Sequence, residues 1–244
     1  MGKYTVIFSL AGIALGFVLG FLISNSINRT AINGIRAELE EARSAARPDA
    51  KNEARETLSS EEIQAKIAEA DQNPSNLEYQ KNLGLALYRY GAFKNDTATI
   101  AQAVRLLDRA ARLSPNDPDV TIGLANAWFD LGYIKKDNEA FNKAREIYTK
   151  VLAANPNNAG VRTDVGMTYF LQEPPDDTKA TAEFKRALAV DPRNEKALEF
   201  VIQSLARQGN SVDASKYLAT LREVNPNNPS LSALTTQISQ NQPQ

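Results

Sequence analysis

A small residue followed four positions on by a large apolar one, three further by another apolar one and five beyond that by proline occurs three times in register. The copies are Ala103, Leu107, Ala110 and Pro115; Ala144, Tyr148, Val151 and Pro156; and Ala180, Phe184, Ala187 and Pro192. A fourth, Ala214, Leu218, Leu221 and Pro226, follows the same frame. Each copy is preceded by a second stripe at helical spacing: Leu83, Gly84 and Leu87; Leu124, Ala125 and Trp128; Val165, Gly166 and Tyr169; Val201, Ile202 and Leu205. These are helix-turn-helix units. The small residue marks close approach of the two helices, the large one fills the core, and proline stops the second helix. Gly91, Gly132 and Gly209 are expected to supply the turns within the hairpins. A unit this small cannot bury its own stripe and must stack on neighbours, so the chain is expected to form an all-α solenoid of helical hairpins.

The frame resembles the tetratricopeptide repeat, whose usual period of ~34 residues matches the step from Pro192 to Pro226. The resemblance spans residues 74 to 229. It departs from the family where Gln80, Thr121, Arg162 and Leu198 replace a bulky aromatic and where Ile202 replaces a small residue, which predicts looser packing in the last unit. Two units carry matching insertions after Gly91 and Gly132, aligning Phe93, Asp96 and Ile100 with Ile134, Asp137 and Phe141. About two helical turns keep the apolar face in phase, so a lengthened second helix capped by Asp96 and Asp137, or by their neighbours Thr97 and Asn138, is expected. The third unit has Glu173-Pro174-Pro175-Asp176-Asp177, a stiff turn and a cap.

The resemblance implies a concave groove lined by the first helices and used for peptides. Its facing residues in this frame are Lys81, Leu85, Tyr88 and Arg89 in the first unit, and Ile122, Asn126 and Phe129 in the second. Met167 and Phe170 follow in the third, and Glu199, Gln203 and Arg207 in the fourth. Tyr88 and Phe129 are expected as apolar anchors, with Asn126 and Arg89 supplying hydrogen bonds; the alternative is that Leu85, Tyr88, Phe129 and Phe170 pack between units. The family's carboxylate-clamping subtype is disfavoured, because Leu85 and Gly123 stand where polar residues are needed.

Outside the repeats, residues 4–23 form a charge-free run long enough to cross ~30 Å of hydrocarbon. Residues 1–25 are therefore expected to be an uncleaved single transmembrane anchor, with the bulk of the chain on the extracytoplasmic, bacterial periplasmic side. Gly12, Gly16, Gly20 and Ser24 lie on one face of that run, a stripe that suits close helix association in lipid. Residues 26–58 read as a stalk helix with a short coiled-coil seam (Ile32, Ile35, Leu39, Ala42, Ala46) and a charged linker. Ser59 and Glu62 make a capping box that opens an N-terminal capping helix over residues 59–74. Four repeats are expected over 75–229, and residues 230–244 should form a C-terminal cap helix and a frayed tail.

The chain has no histidine and no cysteine, which removes the commonest general base, the thiolate nucleophile and the usual metal ligands. Together with the lack of a phosphate-cradling glycine loop, this predicts a non-enzyme without cofactor or metal. The formal net charge of −1 gives no reason to expect nucleic acid. The expected function is a membrane-anchored scaffold that holds a protein or peptide partner, in assembly or quality control. The alternative is a structural homo-oligomer paired through the glycine stripe and stalk.

Overall fold

The computed structural model describes residues 59–240. Over these residues the chain forms ten helices and no strand: α1 (Ser60–Gln72), α2 (Leu77–Lys94), α3 (Thr97–Leu113), α4 (Pro118–Lys135), α5 (Asn138–Ala154), α6 (Ala159–Leu171), α7 (Asp177–Val190), α8 (Glu195–Arg207), α9 (Ser211–Val224) and α10 (Leu231–Gln240). The pairs α2/α3, α4/α5, α6/α7 and α8/α9 are the hairpins, and each second helix packs on the first helix of the next pair. The membrane run at 4–23, the stripe of Gly12, Gly16, Gly20 and Ser24, and the stalk with its seam lie outside the described residues. No helix among the described residues is long and apolar enough to cross a membrane.

The units are joined by one turn used five times. Residues 73–76, 114–117, 155–158, 191–194 and 225–228 each close with the fourth residue's N–H donating to the first residue's carbonyl at 3.1–3.2 Å. Proline occupies the second place in all five, where its fixed φ suits the turn. Each helix before the prolines at 115, 156, 192 and 226 stops two residues ahead of it, so proline shapes the turn rather than cutting the helix. The fourth place is always Asn or Asp. Asn76, Asp117, Asn158 and Asn194 then cap the next first helix, each accepting from backbone N–H groups of its opening turn. Ser59 and Glu62 form the expected capping box on α1.

The lengthened hairpins differ from expectation. Helices α2 and α4 run 18 residues and α3 and α5 run 17, against 13 and 14 in the later pairs. Both arms are extended, so the turn moves beyond Gly91 and Gly132 to Asn95–Asp96 and Lys136–Asp137, where Asp96 and Asp137 are the N-caps. The left-handed residues there are Asn95 (φ 53°) and Lys136 (φ 55°), and only Gly209 (φ 74°) serves as a turn glycine. Gly91 and Gly132 are helical instead. A β-carbon on Gly91 would sit 2.8 Å from Ile100 Cγ1, and one on Gly132 2.8 Å from Phe141 Cδ1. They are glycine because the two arms touch there.

The core follows the repeat frame: Ala103, Leu107, Ala110, Ala144, Tyr148, Ala180, Phe184 and Ala187 are all buried. Where the second helix offers a large residue the first offers a small one, as in Gly84 on Leu107 and Gly166 on Phe184. The last unit exchanges sizes across the hairpin. Leu218 replaces the aromatic ring and Ile202 fills the space, fully buried, so the expected looseness there is not seen. Gln80 explains one departure from the aromatic pattern: fully buried, it donates to the Ala70 carbonyl at 2.7 Å and the Asn73 carbonyl at 3.0 Å and so ties α1 to the array.

Candidate functional site

Consecutive first helices (α2, α4, α6, α8) pack on one another, whereas consecutive second helices meet at most in isolated contacts. The first helices therefore form the tighter, inner layer. Their shared face carries the groove positions read from the sequence, and the structure divides those positions into three groups.

Four are buried. Tyr88, Phe129, Met167 and Phe170 are each under one-tenth exposed. Phe129 packs edge-on to Phe141 at 5.6 Å, and Phe170 edge-on to Phe200 at 5.1 Å. The expectation that Tyr88 and Phe129 stand open as anchors is thus corrected: Tyr88 is buried against Asp130 of the next first helix, and Phe129 against Phe141 of its own hairpin.

A second group is committed to partners within the chain. Lys81 pairs with Asp117 at 2.8 Å and Asp119 at 3.5 Å, and that first bond raises its pKa. Asn126 accepts a 2.6 Å hydrogen bond from the Tyr148 hydroxyl. Glu199 accepts from Asn228 at 2.8 Å in the C-terminal turn, and burial holds its carboxyl above the usual range. Arg207 lies 3.6 Å over the Phe170 ring, donates to the Phe170 carbonyl, and pairs with Asp177.

The third group remains available. Leu85 and Ile122 are half-buried on the inner layer. Leu85 also explains Gly123, because a β-carbon there would lie 2.5 Å from Leu85 Cδ2. Arg89 is half-buried, and its guanidinium makes no ion pair or hydrogen bond among the described residues; burial lowers its pKa. Gln203 Nε2 is buried without an acceptor.

Sequence reasoning missed an ionic cluster on the same face. Asp130 of α4 is 7% exposed and meets the Tyr88 hydroxyl of α2. Burial pushes its carboxyl up to about 7, with Tyr88 and Lys196 opposing and Asp164 reinforcing the shift. Asp164 of α6 pairs with Lys196 of α8 at 2.8 Å. A signal existed: Asp130 follows Phe129 as Arg89 follows Tyr88, in the same frame.

Residues 125–158 and 178–238 match sequence profiles of the tetratricopeptide repeat. Those stretches are tetratricopeptide repeats. Solved structures share the fold. A crystal structure of MamA superposes with a TM-score of 0.54 at 18% identity, over 68% of this chain and 87% of that one. A MamA chain (41-end) from Desulfovibrio magneticus RS-1 gives 0.54 at 19% identity, over 70% and 87%. A tetratricopeptide repeat protein from Parabacteroides merdae gives 0.51 at 18%, over 66% and 60%. At these identities the likeness speaks of fold alone. No curated protein matches the chain. Tetratricopeptide arrays bind proteins.

Proposed function

We propose that the chain is a non-catalytic scaffold that seats a protein or peptide segment on the first-helix layer of its tetratricopeptide array, anchored to a membrane through residues 4–23. The observation that carries this is the unspent donors on that face. Nearly all its other charges are paired within the chain, yet Gln203 Nε2 is buried without an acceptor and the half-exposed Arg89 guanidinium makes no ion pair or hydrogen bond among the described residues, on a layer that also carries half-buried Leu85 and Ile122. A buried donor without an acceptor is costly, and a partner's backbone carbonyls or carboxylates would satisfy it. The absence of histidine and cysteine from the sequence supports binding without chemistry. The charge-free run at 4–23 supports a single-pass anchor with the repeats on the extracytoplasmic side, a layout suited to assembly or quality control at the membrane.

The test is capture from solubilised membranes by the full chain, wild type against Arg89→Ala and Leu85→Asp. A partner lost from both variants at unchanged melting temperature supports the proposal. Equal capture by all three moves the site off this face.

The glycine stripe favours a second reading, in which chains pair in the bilayer and the repeats act as spacers. Replacing Gly16 and Gly20 by Ile should then abolish crosslinking in membranes. Unchanged crosslinking removes that reading.

A further inference from the structure

Asp130 lies where consecutive first helices meet. Its carboxyl comes from α4, the Tyr88 hydroxyl from α2, the Asp164 carboxylate from α6 and the Lys196 ammonium from α8. Tyr148 of α5 is a further titratable neighbour of this group, its hydroxyl donated to Asn126, and Arg89 acts on it through Tyr88. The charges of α3, which also packs on α4, are spent elsewhere: Arg105 and Arg109 on Asp71, and Arg112 on Asp108. Two carboxylates therefore share one ammonium, and that ammonium is bonded to Asp164. An ionised Asp130 would be a buried charge with a like charge on the next helix and no cation of its own, an arrangement that protein interiors avoid by neutralising the group or exposing it.

We propose that the proton on Asp130 latches the first-helix layer: while it is held, α2, α4 and α6 stay packed side by side, and its loss loosens this part of the layer without unfolding the array.

The sign follows from the two states. In the packed layer burial raises the group to about 7, whereas in an opened, hydrated layer it returns to the ordinary ~3.9. A raised carboxyl favours the packed form fully at pH values below the ordinary pKa. That advantage is lost as pH climbs towards the raised value, and the loss levels off above it. Opening should grow on the order of a hundredfold from about pH 5 to about pH 8.

Amide hydrogen exchange on the full chain in detergent, corrected for the intrinsic pH dependence, measures this directly. Protection of α2, α4 and α6 should fall by that factor while α9 holds steady, and Asp130→Asn should flatten the pH dependence. Asp164→Asn leaves Asp130 in place but removes the like charge on the next helix. Burial remains the main cause of the raised pKa, so the fall should be shallower than in the wild type without vanishing, which keeps the test decisive should Asp130→Asn fold poorly. A flat profile in the wild type overturns the latch. So does a fall shared equally by α9, or an undiminished slope in Asp164→Asn or in a folded Asp130→Asn.

Discussion

Helix α6 contains two glycines whose replacement by alanine should act in opposite directions. At Gly166 a β-carbon would stand 2.5 Å from Phe184 Cε1 and 2.7 Å from Cδ1. That ring cannot withdraw, because Phe184 is fully buried and held against Phe200 at 5.8 Å and Phe170 at 6.5 Å. Overpacking of this kind costs about 1–3 kcal/mol, and the gain in helix propensity on replacing glycine, about 1 kcal/mol, offsets part of it. Contacts this short put the overpacking cost in the upper part of that range, about 2–3 kcal/mol, so Gly166→Ala should destabilise by ~1–2 kcal/mol. At Gly160 the same β-carbon meets only Asn158 Oδ1, at 3.5 Å, an ordinary contact. Gly160→Ala should stabilise by ~0.5–1 kcal/mol through the backbone alone. Urea titration of the Ser59–Gln240 fragment, followed by helical circular dichroism, compares the two within one helix, so any departure from two-state unfolding affects both alike. The pair should differ by about 2 kcal/mol. Adding Phe184→Leu to Gly166→Ala should reveal a favourable coupling of ~1 kcal/mol or more, since the smaller side chain makes room. If Gly166→Ala is as stable as the wild type, the hairpin is not closed around Phe184 and the close-approach account of these glycines fails.

The remaining predictions use the same logic elsewhere. Lys136 pays for a left-handed φ of 55°, so Lys136→Gly should raise stability by ~0.5–1 kcal/mol, read as an upward shift in melting temperature; Asn95→Gly should do less, because Asn tolerates that region. Gln80→Leu removes two hydrogen bonds to α1 but also a buried Oε1 that lacks a donor. Its global cost should be ~1 kcal/mol, while exchange protection of residues 60–72 drops sharply. Phe129→Ala should cost ~3–5 kcal/mol of stability, with partner affinity, measured on the folded fraction, little changed; a large affinity loss at constant melting temperature would restore Phe129 as an anchor.

The hairpin frame was legible because each of its positions answers to one demand. Ala103, Ala144 and Ala180 are small since helices meet there, and Leu107, Tyr148 and Phe184 are large since that gap must be filled. Glycine was ambiguous. Gly91 and Gly132 fit a turn as well as a close approach, and sequence offers no distance by which to choose; what distinguishes them is the apolar run continuing through Ile134 and the Asp-capped helix beginning at Thr97 or Asn138. The Asn or Asp four residues after the end of each helix that leads into a proline turn was equally visible, and it fixes the next helix start more firmly than proline does.

The binding face was harder to read for a reason of geometry. A first helix presents one side to its own hairpin partner, and its adjoining sides touch the first helices before and after it. Residues three or four apart share a stripe, so Leu85, Tyr88 and Arg89 have the same helical phase to within a turn, yet Tyr88 is buried and its two companions are half-exposed. Periodicity selects the stripe, and the distance between neighbouring units decides which part of it remains open. Charge then separates positions that phase cannot. Arg89 and Asp130 hold equivalent places in successive units, but Asp130 is buried among Tyr88, Asp164 and Lys196, while Arg89 makes no ion pair or hydrogen bond among the described residues. The same frame position thus carries a buried carboxyl in one unit and a half-exposed guanidinium in the other, a division set by residues on adjoining helices rather than by the motif itself.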